Sequence, residues 1–189
     1  MKKETILFAV IALVVGVLVW VIFTNARKDS AVSSSGAPVA AAPAVNASQQ
    51  LTMLEGIVAK EPGNRNAWVQ LGNAYFDASQ PMKSIEAYDK ALAIDANDPN
   101  VLTDQGVMFR TLGWFDKAVN NFEQANKIDP GHAQSLFNLG IVYRYDLQDF
   151  AKAQKTWERY LTINPSGGGA EQVRAELDFI KTHPSPGAN

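Results

Sequence analysis

The sequence predicts an all-α fold in which antiparallel helix pairs stack into an array. Three observations lead to this prediction. A motif centred on a glycine recurs every 34 residues, at Gly72, Gly106 and Gly140. A second motif of small and aromatic residues follows each glycine, and turn-forming residues divide and end the units. A period of this length is typical of a helix–turn–helix repeat, which buries its apolar face only against its neighbours.

The first helix of each unit carries four matched positions. They are Trp68, Leu71, Gly72 and Tyr75; then Leu102, Gln105, Gly106 and Phe109; then Leu136, Leu139, Gly140 and Tyr143. Glycine inside a helix costs about 1 kcal/mol relative to alanine, so its repetition needs a physical reason. We expect the two helices of each pair to approach closely at the glycine, which would face the small residue Ser84, Ala118 or Ala153.

The second helix of each unit repeats as well. Tyr88 corresponds to Phe122 in the next unit, whereas Trp157 in the third unit comes one residue late. A single insertion is therefore expected in the turn at residues 144–149. The aromatic residues are expected to pack between units as core. Helix starts are predicted from three further residues, with Pro81 at a first helical position and Asp116 and Asp149 as N-caps.

These motifs resemble the tetratricopeptide repeat (TPR) family, whose unit reads W-x2-L-G-x2-Y, then A-x3-F, then P. The resemblance implies a right-handed superhelix, with a TPR domain at residues 50–182. Its expected parts are a half repeat at 50–62, repeats at 65–98, 99–132 and 133–166, and a capping helix at 170–182. Residues 183–189 contain two prolines and are expected to form a disordered tail.

The N-terminal part, residues 1–28, is predicted to be a transmembrane anchor. Residues 6–23 carry no charge, and as a helix they would span about 27 Å, close to the thickness of a bilayer core. A cleaved signal peptide is the alternative, although its apolar core usually has only about 7–15 residues. Residues 29–49 are rich in Ser, Ala and Pro and are expected to form a flexible linker.

These features predict a single-pass protein of the inner (cytoplasmic) membrane. Two Lys or Arg residues lie on each side of the apolar segment, so only the free amino terminus favours an N-terminus-inside orientation. That orientation would place the TPR domain in the periplasm. The alternative is a cytoplasmic TPR domain.

No catalytic or cofactor site is predicted. The chain has no cysteine, and its two histidines, His132 and His183, have no ligand partner at helical spacing. The glycine-rich segments lack the Lys-Ser/Thr of a phosphate loop. A net charge of −2 gives no basic surface for nucleic acid. The sequence therefore predicts neither an enzyme nor a metal-binding or cofactor-binding protein.

The TPR resemblance implies that a partner binds on the concave face, which the first helix of each unit lines. The inward positions are Asn66, Val69, Asn73 and Phe76; then Asn100, Thr103, Val107 and Arg110; then Gln134, Phe137, Ile141 and Arg144. We expect exposed apolar groups to anchor a peptide and the arginines to hold a carboxylate. The alternative is that these residues form an ordinary solvated face. Trp114, in a turn, is a second possible contact.

The carboxylate clamp by which some TPR domains bind chaperone C-termini is absent, because only Asn73 matches it. Val69, Asp104, Gln134 and Asn138 occupy the other positions. The layout of anchor, linker and repeats is similar to that of bacterial envelope-assembly proteins, including TPR proteins of c-type cytochrome maturation. The predicted function is a membrane-tethered scaffold that binds a protein or peptide client. The alternative is a structural subunit that self-associates or bridges components of a membrane complex.

Overall fold

The computed structural model describes residues 46–183, which form eight α-helices and one π-helix. The α-helices are α1 (Ala47–Lys60), α2 (Arg65–Asp77), α3 (Pro81–Ile94), α4 (Pro99–Thr111), α5 (Phe115–Ile128), α6 (Ala133–Ile141), α7 (Phe150–Ile163) and α8 (Ala170–Thr182). The π-helix, Val142–Asp146, continues α6. The described residues contain no β-strand, so the all-α prediction is confirmed. The predicted anchor, most of the linker and residues 184–189 lie outside the described residues.

None of the helices between residues 46 and 183 has the length and apolar character needed to span a bilayer.

The helix α1 begins earlier than predicted. Asn46 caps it, since its Oδ1 accepts a hydrogen bond from the Gln49 backbone N–H at 2.8 Å, and the Gln49 side chain accepts one from the Asn46 N–H at 3.4 Å. This reciprocal pair is a capping box, which stabilises a helix start. The last three residues of the predicted linker, residues 47–49, are therefore helical.

Three helix pairs follow α1, and α8 closes the array. Each helix packs against the next one along the chain. Within a pair, the turn contains one residue in the left-handed region: Ser79 (φ 55°), Gly113 (φ 74°) or Gln148 (φ 55°). The turns are short, so the two helices of each pair run antiparallel. This is the predicted arrangement.

Two of the three predicted helix starts are confirmed. Pro81 is the first residue of α3, and the Asp149 side chain accepts a hydrogen bond from the Lys152 N–H at 3.0 Å. Asp116 is not an N-cap, because α5 already begins at Phe115 and Trp114 holds the cap position without a side-chain hydrogen bond. The carboxylate of Asp116 instead lies in the first turn, where it complements the helix dipole.

The glycines mark a close approach of two helices, as predicted, but they face aromatic rings. A Cβ atom added at Gly106 would lie 2.6 Å from the ring of Phe122, and Gly72 and Gly140 face Tyr88 and Trp157 in the same way. These three rings are buried. They therefore fill the space inside each helix pair, not between units as predicted. A ring lies closest to each glycine, while Ser84, the small residue predicted to face Gly72, donates a hydrogen bond to its carbonyl.

The predicted insertion in the third unit is absorbed as the π-helix. The Leu147 N–H donates to the Val142 carbonyl at 2.9 Å, and the Asp149 N–H donates to the Tyr143 carbonyl at 2.7 Å. These bonds reach five and six residues back, instead of the four of an α-helix. The wider turn accommodates the extra residue, and Trp157 of α7 still packs against Gly140.

Candidate functional site

We use the name first-helix face for the twelve predicted concave positions on α2, α4, α6 and the π-helix. Three of its residues are exposed: Asn66, Asn100 and Gln134. Six are half-buried: Val69, Asn73, Phe76, Val107, Arg110 and Arg144. Three are buried: Thr103, Phe137 and Ile141. The face is thus more open on α2 and α4 than on α6.

The expectation that Phe137 and Ile141 are exposed apolar anchors is wrong. Their exposed fractions are 8% and 3%, and both belong to the main hydrophobic core. The Phe137 ring packs against the Tyr160 ring, with centroids 5.7 Å apart, and against the backbone at Gly169. The segment that leads into α8 covers this part of the face. Sequence reasoning did not anticipate that cover.

Arg110 already has a carboxylate partner. Its Nε donates to Asp146 Oδ2 at 2.5 Å, and its Nη2 donates to Asp146 Oδ1 at 3.3 Å. This bidentate pair ties α4 to the π-helix of the next unit. Both side chains are largely buried, with exposed fractions of 29% and 16%. The guanidinium of Arg110 was predicted to hold a carboxylate of the client, but it already binds a carboxylate of the chain itself.

Arg144 also lies beside a carboxylate of the chain, although its Nε makes an ion pair there and no hydrogen bond. Its Nε lies 3.4 Å from Glu176 Oε2 on α8, and its guanidinium lies 4.6 Å from the ring centroids of both Phe150 and Phe179. Tyr145 donates its hydroxyl proton to the same Glu176 carboxylate. Burial, together with this hydrogen bond, raises the pKa of Tyr145 far above its usual value. Glu176 was missed because sequence spacing does not show where a capping helix sets its carboxylates.

The part of the first-helix face that remains is rich in amides. Asn73 accepts a hydrogen bond from the Tyr88 hydroxyl at 2.7 Å, so the one residue that matches the chaperone clamp is engaged inside its own unit. Asn66, Asn100 and Gln134 are exposed. Half-buried Val69 and Val107 lie on the same helices. Such a surface offers donors, acceptors and shallow apolar contacts.

His132 organises one end of this face, a role that the sequence analysis did not assign. Its Nδ1 accepts a hydrogen bond from the Ser135 N–H at 3.3 Å and so caps α6, while its Nε2 lies 3.1 Å from Asn100 Oδ1. Burial lowers the pKa of His132, and this effect outweighs the opposing influence of Asp129 and Asp98. Because Nδ1 accepts from the Ser135 N–H, the ring proton is assigned to Nε2, which donates to Asn100 Oδ1. Its position just before a helix was the available signal.

A third ion pair joins the starts of two first helices. Arg65 on α2 donates to Asp98, whose Oδ1 also accepts hydrogen bonds from the Asn100 N–H at 3.0 Å and the Val101 N–H at 3.1 Å. Burial by itself would raise the pKa of Asp98, but the bonds from Arg65 and the two backbone N–H groups lower it below its usual value. Asp98 is thus a charged N-cap that also positions Asn100.

The part of the chain that the structure describes contains no cluster of three or more histidine or carboxylate side chains arranged to hold a metal ion.

Comparison with known proteins identifies the repeats. Models of the tetratricopeptide repeat match residues 66–98, 100–132 and 133–166. Among curated proteins, the heat-shock protein cognate co-chaperone sgt12 of Aspergillus fumigatus is 28% identical over 110 residues, which cover 58% of this chain and 32% of that protein. Protein O-mannosyl-transferase TMTC1 of Mus musculus is 29% identical over 129 residues, which cover 66% of this chain but only 14% of that protein.

The chain therefore spans about a third or less of these two relatives, and the transferase name belongs to a protein that is mostly outside the alignment. Solved structures show the same fold. MamA has a TM-score of 0.68 at 18% identity, covering 72% of this chain and 77% of MamA. The first TPR domain of Spaghetti (RPAP3), bound to the HSP90 peptide SRMEEVD, has a TM-score of 0.57 at 22% identity, covering 62% and 93% of the two chains. The chain belongs to the tetratricopeptide repeat family, and its described part is a TPR superhelix.

Proposed function

We propose that this protein is a membrane-tethered TPR scaffold that binds an extended protein or peptide client on the first-helix face. The observation that carries the proposal is the set of exposed amide side chains, one near the start of each first helix, namely Asn66, Asn100 and Gln134. Half-buried Val69 and Val107 lie on two of the same helices. Asn and Gln both donate and accept hydrogen bonds, so they suit the alternating N–H and C=O groups of an extended backbone. The valines supply shallow apolar contacts.

The charges on this face favour a client without an acidic end. Arg110 and Arg144 are paired with Asp146 and Glu176, so neither cation is available without breaking an internal pair. Breaking a largely buried pair leaves a charge uncompensated, which is costly. A client carboxylate therefore gains little here. This chemistry differs from what a domain that binds SRMEEVD must provide for its acidic peptide.

The tether is the second part of the proposal, and residues 6–23 support it by their length and lack of charge. An anchor of this kind holds the scaffold near exported or membrane-inserting clients, which suits assembly work in the cell envelope. Maturation of c-type cytochromes is one such process. Nothing on the first-helix face selects a cytochrome segment over another extended chain, so the proposal concerns extended clients in general. Reporters fused after Asn189, active on one side of the membrane only, test the periplasmic location.

The client-binding test uses two valines of similar burial. Val107 lies on the first-helix face and Val119 lies on a second helix, α5, and both are half-buried. Peptides selected from a phage-displayed random library serve as probes, together with SRMEEVD. We expect Val107→Asp to weaken binding of the selected peptides by about tenfold or more, or about 1.4 kcal/mol, because the carboxylate must lose water against an apolar ligand. Fluorescence anisotropy measures the affinity.

The control is Val119→Asp, which should leave peptide affinity unchanged; circular dichroism confirms that both variants are folded. Equal losses in the two variants would contradict the assignment of the face, and so would tight binding of SRMEEVD. A stable oligomer in light scattering that blocks peptide binding would point instead to the structural-subunit alternative.

A further inference from the structure

The helix array has two edges, and the chain enters and leaves at the same one. We use the name turn edge for the side that holds the turns within each helix pair, at residues 78–80, 112–114 and 147–149. Consecutive helices run in opposite directions, so α1 starts and α8 ends at this edge as well. The opposite edge holds the ends of α3, α5 and α7. Residue 46, where the preceding chain joins the array, therefore lies at the turn edge.

Each turn of this edge presents an exposed apolar side chain. Met82, Trp114 and Leu147 have exposed fractions of 47%, 39% and 40%, and Phe179, near the end of α8, has 43%. Trp114 is held in place, because the Phe109 ring centroid lies 6.0 Å away and Lys117 Nζ lies 4.5 Å above the indole ring. The edge thus shows four large apolar groups that are each more than a third exposed, two of them aromatic. The opposite edge also exposes one isoleucine for each helix pair, Ile94, Ile128 and Ile163, so the aromatic rings are what distinguish the turn edge.

We propose that the turn edge rests on the surface of a lipid bilayer, with Trp114 and its apolar neighbours in the interfacial layer. The inference extends the tether of the proposed function and depends on it. Tryptophan suits this layer, because its ring is apolar while its N–H prefers a wet environment. Lysines suit it too, since their stems cover apolar surface while the ammonium group stays in water. Lys83, Lys117 and Lys152 lie in the first turns of α3, α5 and α7.

The point of chain entry is the reason to choose a bilayer as the occupant. Residues 24–45 connect the apolar segment to Asn46, and 22 residues can span at most about 75 Å even when fully extended. A tether of that length gives a nearby surface a high effective concentration, so a few weak contacts are enough for docking. The tethered edge is also the one that carries Trp114.

The charges of the edge define which lipids it requires. Lys152 Nζ lies 3.1 Å from Asp149 Oδ2, and Asp116 lies next to Lys117 in the sequence, so acidic groups balance the lysines. Attraction to anionic headgroups is therefore weak, and apolar insertion supplies the contact. We expect docking to be nearly independent of the fraction of anionic lipid.

The absence of cysteine makes a direct test possible in the full chain. Single Leu147→Cys and Ile128→Cys variants are labelled with the environment-sensitive fluorophore NBD. These two side chains have similar exposure, 40% and 38%, but lie at opposite edges. Each labelled protein is reconstituted into phosphatidylcholine vesicles, with or without phosphatidylglycerol, that carry nitroxide-labelled lipid. Flotation verifies that the protein is attached to the vesicles, and circular dichroism verifies folding.

We expect the label at position 147 to shift to shorter emission wavelength and to be quenched several times more strongly than the label at position 128, whatever the phosphatidylglycerol content. If the protein floats and both labels are quenched alike, or neither is, the docking proposal is wrong although the tether stands. If the protein does not float, the tether and the docking proposal both fail. Peptide binding is measured separately in detergent, so that part of the proposed function is tested independently. Energy transfer between labels at position 147 without lipid quenching would assign the edge to a second copy of the chain.

Discussion

The ring of Tyr88 lies where the side chain of Gly72 would be. The same arrangement recurs at Gly106 with Phe122 and at Gly140 with Trp157. Each glycine thus gives up helix propensity so that a large ring can be fully buried between two helices. Burying an aromatic side chain stabilises by roughly 1.5–3 kcal/mol, which outweighs the ~1 kcal/mol that glycine costs in a helix.

A methyl group at this position should be destabilising. We expect Gly72→Ala to lower the free energy of unfolding by about 1–3 kcal/mol, because the Tyr88 ring must move out of a packed site. Urea denaturation followed by circular dichroism measures the change. Gly56→Ala is the matched control, since a Cβ on this exposed glycine of α1 meets nothing within 4 Å. The control should gain stability, by about 0.4–1 kcal/mol. A neutral or stabilised Gly72→Ala would contradict the packing argument.

The glycine motif could be predicted from sequence because its period is visible, but its contact partner could not. Sequence spacing aligned Gly72 with Ser84 as the nearest small residue. In the structure, Ser84 contributes a hydrogen bond to the Gly72 carbonyl at 2.9 Å, while Tyr88, one helical turn further on, fills the space. Which of two residues on one helical face fills a gap depends on side-chain rotamers. A one-dimensional pattern does not contain that information.

At the scale of whole elements, α8 is held by polar contacts as well as by its apolar face. Val173, Leu177 and Ile180 are buried, and Glu176 adds the contacts to Arg144 and Tyr145. The helix itself was expected from the resemblance to TPR arrays, which end in a capping helix. The role of Glu176 was not, because it depends on the π-helix that turns Arg144 and Tyr145 toward α8.

Removing the charge of Glu176 should loosen α8 selectively. We expect Glu176→Gln to lower the free energy of local opening of α8 by about 1–3 kcal/mol. The reason is that Arg144, with only 13% of its side chain exposed, loses its carboxylate partner. Amide hydrogen exchange along α8 measures this effect. Glu171→Gln, on an exposed residue in the first turn of the same helix, is the control and should change exchange much less. Uniform acceleration throughout the array would show that Glu176 acts on global stability instead.

Across the whole molecule, a recurring contact ties successive units together. The Tyr143 hydroxyl donates to Glu123 of the preceding second helix at 3.0 Å, and Tyr75 donates to Glu55 in the same way. A lysine from the following helix lies 5.2 Å over each ring, namely Lys152 and Lys83. In a repeat array such contacts between neighbours make up much of the stability.

This contact predicts weaker folding in alkali. Burial and the hydrogen bond to a glutamate raise the pKa of Tyr75 and of Tyr143 from 10.0 to about 12. A raised pKa in the folded state contributes stability that is complete below the unfolded value and is lost as the pH rises toward the folded value. We expect the melting temperature to fall between about pH 10 and pH 12. The Tyr75→Phe, Tyr143→Phe double variant should show a shallower fall, and an unchanged pH profile would contradict this account.

The molecule as a whole was more predictable than its binding face. Repeat register, helix pairing and the insertion follow from local patterns that are written in the chain. The ion pairs of Arg110 and Arg144 and the ring packing that buries Phe137 all involve partners 23 to 36 positions away in the sequence. No repeat pattern marks those partners. Long-range ion pairs and end-of-array packing are the features that a family register leaves open.

The π-helix has a consequence for protein engineering. The first two units share one length and one glycine–aromatic packing, so they are natural modules for duplication. The third unit is a specialised terminus, since its extra residue shapes the segment that brings Asp146 to Arg110 of the unit before it and Arg144 to Glu176 of the helix after it. A longer array should therefore be made by adding copies of the second unit ahead of it. Copies of the third unit placed in the interior would carry Arg144 and Tyr145 without the helix that satisfies them.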